Sequence, residues 1–262
     1  MPSCPVATTE RHRKPSLAIL ALCLLISGCT SSPDRSLQGL TNAVDPSLRA
    51  AAMAAESNHD YQGAIQHLST LYQHHRENRE IAIALARNLR YAGQGQTAAD
   101  LMQTTLAEDA RNPDLLLELG KDYLAADRIS LAAATLTRAR DAAPDRWEIL
   151  STLAVALDTE GHSAEARTAL TRANELAPDN PVVLNNLALS EAVSGHLDKA
   201  IEILEHAVDL PSATAQTREN LALLLAMKGD TRQAEKLDRH DLSEEMTRAN
   251  TQIFQQWAKD LR

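Results

Sequence analysis

Few residues in this chain combine type and spacing in a way that suits chemistry. Four histidines lie close together: His59, His67, His74 and His75. On a helix, His67, His74 and His75 partly share a face, which offers at most a weak metal contact. Solvated helix-face histidines are the expectation. Gly93-Gln94-Gly95-Gln96-Thr97-Ala98 has the glycine spacing of a dinucleotide-binding loop. Such a loop must follow a strand, and the residues before Gly93 have helical periodicity. No HExxH, GxSxG, CxxC or P-loop pattern occurs, and no carboxylate pair lies in an apolar setting. The sequence supports no enzyme, cofactor, metal centre or small-molecule substrate. Cys29 has a context that suits a covalent step. It closes Ile26-Ser27-Gly28-Cys29 after an apolar run of ten residues, Leu17 to Ile26, behind Arg11, His12, Arg13 and Lys14. The run is too short to span a bilayer and has the form of a signal peptide. The small residues before the cysteine fit a peptidase site.

The rest of the chain repeats at a step of 34 residues. An alanine column runs Ala64, Ala98, Ala132, Ala166, Ala200, Ala234 without insertion. A large-then-small pair precedes it in each unit: Leu85-Ala86, Leu119-Gly120, Leu153-Ala154, Leu187-Ala188 and Leu221-Ala222, with Ala51-Ala52 as a weak first member. Gly93, Gly161, Gly195 and Gly229 recur midway, where a chain leaving a helix needs positive φ. A fixed step of this size fixes the architecture. Each unit reads as helix, turn, helix, with Leu116, Leu119, Gly120 and Tyr123 on one stripe and Ala132, Leu136 and Ala139 on the other. Asn112-Pro113 and Asn180-Pro181 mark helix starts. Asp145 to Glu148 has capping-box spacing. The prediction is an all-α solenoid of about six units over 45–248. Asp238 and Asp241 stand at apolar positions of the last unit, which predicts a displaced second helix there.

These residues resemble the tetratricopeptide repeat (TPR) family: Leu-Gly/Ala, a large apolar or Tyr, Ala, a large apolar, Ala, then Pro. Residues 113–146 match every position, while Arg76 replaces the terminal proline in the first unit. Beyond the repeats, Leu242 to Arg262 reads as an amphipathic capping helix, N-capped by Ser243. Leu242, Met246, Ile253, Trp257 and Leu261 share one face, with Phe254 beside it. A docking role for Phe254 and Trp257 is the alternative. Residues 249–262 form the end of this helix.

Ile26 to Cys29 resembles the lipobox of bacterial lipoproteins. The resemblance implies removal of 1–28 as a lipoprotein signal peptide and lipidation at Cys29. It also implies an anchored tether over 29–44 and, with Thr30 after the cysteine, an outer-membrane location facing the periplasm. Cys4 and Cys23 fall in the removed segment, so no disulfide is expected. The formal net charge is −9, and loss of Arg11, Arg13, Lys14 and Glu10 makes it more negative. Such a surface excludes nucleic-acid binding through a general basic field.

The TPR resemblance implies that first helices of successive units line a concave peptide-binding face. Its exposed positions hold Arg49, Arg87, Arg90 and Lys121 at one end. At the other they hold Val155, Asn185, Leu189, Val193, Leu223 and Met227, with Asn186 and Asn220 beside them. The expected groove is basic at one end and apolar at the other, with asparagines that hydrogen-bond a peptide backbone. Lipobox, tether, repeats and tail together resemble TPR lipoproteins of bacterial envelope machines. The stretches Arg218 to Leu223, Gly229, Ala234 to Lys236, Asp241-Leu242 and Ala249-Asn250 resemble the tight-adherence (Flp/Tad) pilus assembly lipoproteins of the TadD type. That resemblance implies a scaffold for a secretin or other pilus or secretion component. A type IV pilus pilotin-like lipoprotein and an adaptor for cell-wall enzymes are the alternatives.

Overall fold

The computed structural model describes residues 33–260, with side chains for 44–253. Cys29 and the expected signal peptide lie outside the described residues, as do the side chains of Phe254 and Trp257. Thirteen α-helices and no strand occur among the described residues. They pair as α1 (Pro33–Ser57) with α2 (Tyr61–His74), α3 (Arg79–Tyr91) with α4 (Gly95–Leu106), and α5 (Pro113–Ala125) with α6 (Ile129–Ala142). The series continues with α7 (Trp147–Thr159) and α8 (Ser163–Leu176), α9 (Pro181–Val193) and α10 (Leu197–Val208), and α11 (Ala215–Lys228) and α12 (Thr231–Asp241). Helix α13 (Glu244–Asp260) closes it.

The 34-residue columns are the core. Every member of the alanine column is fully buried. A methyl group there lets the second helix of each unit sit close against the first. The turn column is also complete. Gly93, Gly161, Gly195 and Gly229 have φ between 77° and 96°, and His59 and Asp127 occupy the same column at φ 58° and 56°. The chain takes a left-handed step at each of these positions whether or not glycine supplies it. Asn112 and Asn180 cap α5 and α9 as expected, each accepting from two backbone amides. Asp145 does not cap α7. It accepts from Arg172 at 2.8 Å, and the cap position falls on Arg146 without a side-chain bond.

Three expectations about the ends are corrected. The segment read as a tether is helical from Pro33, in keeping with Leu37, Leu40, Val44 and Leu48 at three- and four-residue spacing. His74 and His75 are not merely solvated: both bond the nearly buried Asp45 of α1, His74 Nδ1 at 2.9 Å from its carboxylate, and so tie α1 to the end of α2. Helix α12 is in place, because its two acids are partnered. Asp238 accepts from Asn250 of α13 at 2.9 Å, and Asp241 is held by two nitrogens of Arg218 at 2.6 and 2.7 Å. Helix α13 does cap α11 and α12, and Ser243 accepts at its N-terminus. Its docked side is Thr247, with Asn250 and Thr251 partly covered, while Met246 and Ile253 are about half exposed.

Candidate peptide-binding groove

Successive odd-numbered helices from α3 to α11 pack on one another as well as on their sequence neighbours, and no comparable packing joins successive even-numbered helices. The odd helices therefore share one side of the stack. They carry the side chains the sequence nominated for a groove, and the structure sorts these into three groups.

The first group is the basic end, and it is not a field of free cations. Arg87 lies 3.3 Å from Glu56. Arg90, only 13% exposed, reaches Glu118 at 2.9 Å and donates to Asp122. Lys121 lies 2.7 Å from Glu118. Three cations thus meet three carboxylates, and the surface is locally neutral. Arg49 is exposed and makes no ion pair among the described residues. Arg90 is a strut between α3 and α5 and is not available to a partner. Burial pushes the Asp122 carboxyl up, to about 6, against the pull of Arg90. Burial would raise Glu118 as well, but Lys121 and Arg90 outweigh it and hold that group below its ordinary value. The sequence did carry a signal for this network: acids 28 to 32 residues beyond Arg90, close to one repeat step.

The second group is the asparagines. Asn186 donates to Ser151 at 2.9 Å, and Asn220 donates to Asn185 at 2.7 Å. These bonds bridge α7 to α9 and α9 to α11. Asn185 is buried, so it serves the stack and is not a free reader of a partner backbone. Asn186 and Asn220 remain half-buried.

The third group stands as expected. Val155, Leu189 and Leu223 form one ridge at the 34-residue step, with Val155 at 38% exposure and the two leucines half-buried. Val193 and Met227 form a second, exposed by 71% and 43%. Tyr91 lies in the same column as this second ridge and packs against Tyr61 with centroids 5.1 Å apart and ring planes tilted by 42°, a pair the sequence reading passed over. The arrangement offers apolar contact and amide hydrogen bonds. Among the described residues no group of three or more His, Cys, Asp or Glu side chains is placed to hold a metal. Gly93 to Ala98 links helix to helix, not strand to helix, so the dinucleotide reading has no structural basis.

Inner face, turn column and alanine column together define an all-α TPR solenoid. Residues 89–157 match the tetratricopeptide repeat family. No curated protein matches the chain in sequence. A thermophilic TPR protein of Thermus thermophilus is similar in structure, with a TM-score of 0.63 at 19% identity over 69% of this chain and 98% of that one. A TPR protein of Parabacteroides merdae aligns with a TM-score of 0.61 at 14% identity, over 82% and 88%. PilF of Pseudomonas aeruginosa aligns with a TM-score of 0.56 at 15% identity, over 76% and 90%. At these identities the likeness is one of fold.

Proposed function

We propose that this protein is an envelope-anchored scaffold whose inner face binds an extended segment of a partner protein. The observation that supports this best is the pair of partly exposed apolar ridges on α7, α9 and α11 of a chain with net charge −9. An extended or helical partner segment would lay uncharged side chains along Val155, Leu189, Val193, Leu223 and Met227 and meet the half-buried amides of Asn186 and Asn220. Lipidation at Cys29 would hold the solenoid at the outer membrane. The resemblance of Arg218 to Asn250 to the TadD type favours a secretin or another Flp/Tad pilus component as the partner.

The test is capture from detergent-solubilised membranes by wild type and by Val193→Lys/Met227→Lys. Both residues are exposed, so the fold should survive, and circular dichroism checks this. Recovery of a secretin or pilus component by wild type, and its loss in the variant, supports both parts of the reading. Equal recovery by both proteins overturns the inner face as the site. Recovery of cell-wall hydrolases alone overturns the pilus assignment. Arg87 and Arg90 are unsuitable probes, because replacing Arg90 would leave Asp122 buried without its partner.

A further inference from the structure

Because successive even-numbered helices do not pack together, clefts open between them from α4 to α12, floored by the odd helix beneath. Between α4 and α6 this cleft comprises two cavities of about 440 and 380 Å³ that share Ala110 and Arg138 on their walls. Each lies within the size range of ligand sites. The smaller cavity is mainly apolar, with Leu106, Leu119, Tyr123 and Leu131 on its walls. Leu131 is a leucine left 47% exposed. The larger cavity is lined by Leu116 and carries two cations, Arg111 and Arg138.

Comparison with the neighbouring units shows what is particular here. Nine of the sixteen arginines between residues 44 and 253 hold a carboxylate. Arg138 is exposed, and among the described residues its guanidinium donates to the Ala110 carbonyl, at 2.9 Å. Neither it nor Arg111 makes an ion pair among the described residues. Asp141 also lines the larger cavity, but it is held by Arg140 at 2.8 Å. One repeat on, the cleft between α6 and α8 has the same apolar floor, Leu153 and Leu157. There Arg172 replaces Arg138 and is neutralised by Asp145 and Glu175, at 2.8 and 2.9 Å. Glu165 stands in the place of Leu131. A further repeat on, the floor itself becomes Glu191. An apolar floor and un-neutralised cations thus coincide between α4 and α6 and separate in the next two units.

We propose that the cleft between α4 and α6 binds a carboxylate carried on an aliphatic chain. The chain lies between Leu119, Tyr123 and Leu131, and the carboxylate meets the planar fork of Arg138, with Arg111 alongside. A free fatty acid and the C-terminal residue of an apolar peptide share this chemistry. The site is separate from the inner face and does not depend on it.

The test is calorimetric titration of the full chain with decanoate and with an aliphatic tetrapeptide, each beside its uncharged form, methyl decanoate or the C-terminal amide. Binding of either carboxylate in preference to its uncharged form is expected, and the one that binds identifies the source. Arg138→Gln should weaken it by about 10- to 100-fold, the loss of one charge-assisted hydrogen bond. Leu131→Glu, which copies the next repeat, should weaken it comparably without unfolding. Arg172→Gln should leave it unchanged. The proposal is overturned if neither carboxylate binds at millimolar concentration, if the uncharged forms bind equally, or if all three variants behave alike.

Discussion

Asp122 shows how one buried carboxylate ties the inner face to pH. Its folded pKa of about 6 lies above the ~3.9 of an unfolded aspartate. At pH below both values each state holds the proton, and the group contributes nothing. Between them the folded chain keeps a proton that the unfolded chain has lost, so stability falls as pH rises from about 4 to 6 and then levels off. The upper limit of this loss is roughly 3 kcal/mol. Asp122→Asn keeps the shape and removes the titration. The melting temperature of wild type, relative to the variant, should therefore decline across that window, and a constant difference from about pH 4 to 7 would count against the assignment. The turn column makes a second prediction at this scale. Asp127 holds a left-handed φ of 56° where four sister units use glycine. Asp127→Gly should stabilise the chain by about 0.5–1 kcal/mol in urea titration, because glycine meets no Cβ penalty there.

At the scale of elements, the last unit shows why spacing alone did not settle its fate. Asp238 stands in a column otherwise filled by Leu68, Met102, Leu136, Leu170 and Leu204, all buried. By burial alone that aspartate argues for a displaced α12. The partner that keeps it in place is Asn250 of α13, a contact across elements that no single-helix pattern contains. Burial pushes the Asp238 carboxyl up, and Asn250 offsets part of this. Asn250→Ala should weaken α13 docking by about 1–3 kcal/mol, read as faster amide exchange confined to α12 and α13. Asp238→Leu with Asn250→Leu should recover most of that loss, since a paired polar site can be replaced by apolar packing. Uniform exchange along the chain in the first variant would sink the idea. The repeat, its helices and its turn column were legible in the sequence, because each is a local pattern repeated in register. The groove's apolar ridges were legible for the same reason. The linked asparagines were not, because each depends on which residue of the next unit lies opposite, and the Arg90 network left only a spacing signal, acids about one repeat step on.

For the whole molecule, the repeat implies a stack in which each unit gains stability mainly from its neighbours, and the core shows where that stack is thin. One large apolar cluster runs from Ala52 to Ala156, and a second from Ala188 to Ala234. Between them lie only two small clusters around Leu150 and Leu170. At this junction Glu191 occupies the column held elsewhere by Leu89, Tyr123, Leu157 and Leu225. It is essentially buried and is reached by His196 and Lys199, each at 2.7 Å. Burial would raise its pKa, but Lys199 and His196 outweigh that and hold it low. The charge is thus satisfied, yet it puts a carboxylate where the other units have an apolar side chain. Native-state hydrogen exchange should then show α9–α12 opening at a lower free energy than α3–α6. Glu191→Leu restores the apolar column and releases His196 and Lys199, both already more than half exposed, to solvent. Replacing a buried ion pair by packing of similar volume is commonly neutral or stabilising by about 1–4 kcal/mol. The variant should raise protection in α9–α12 toward that of α3–α6 and sharpen the urea transition. Unequal protection that survives the substitution would show that the junction's weakness lies in α8 and not in the buried charge.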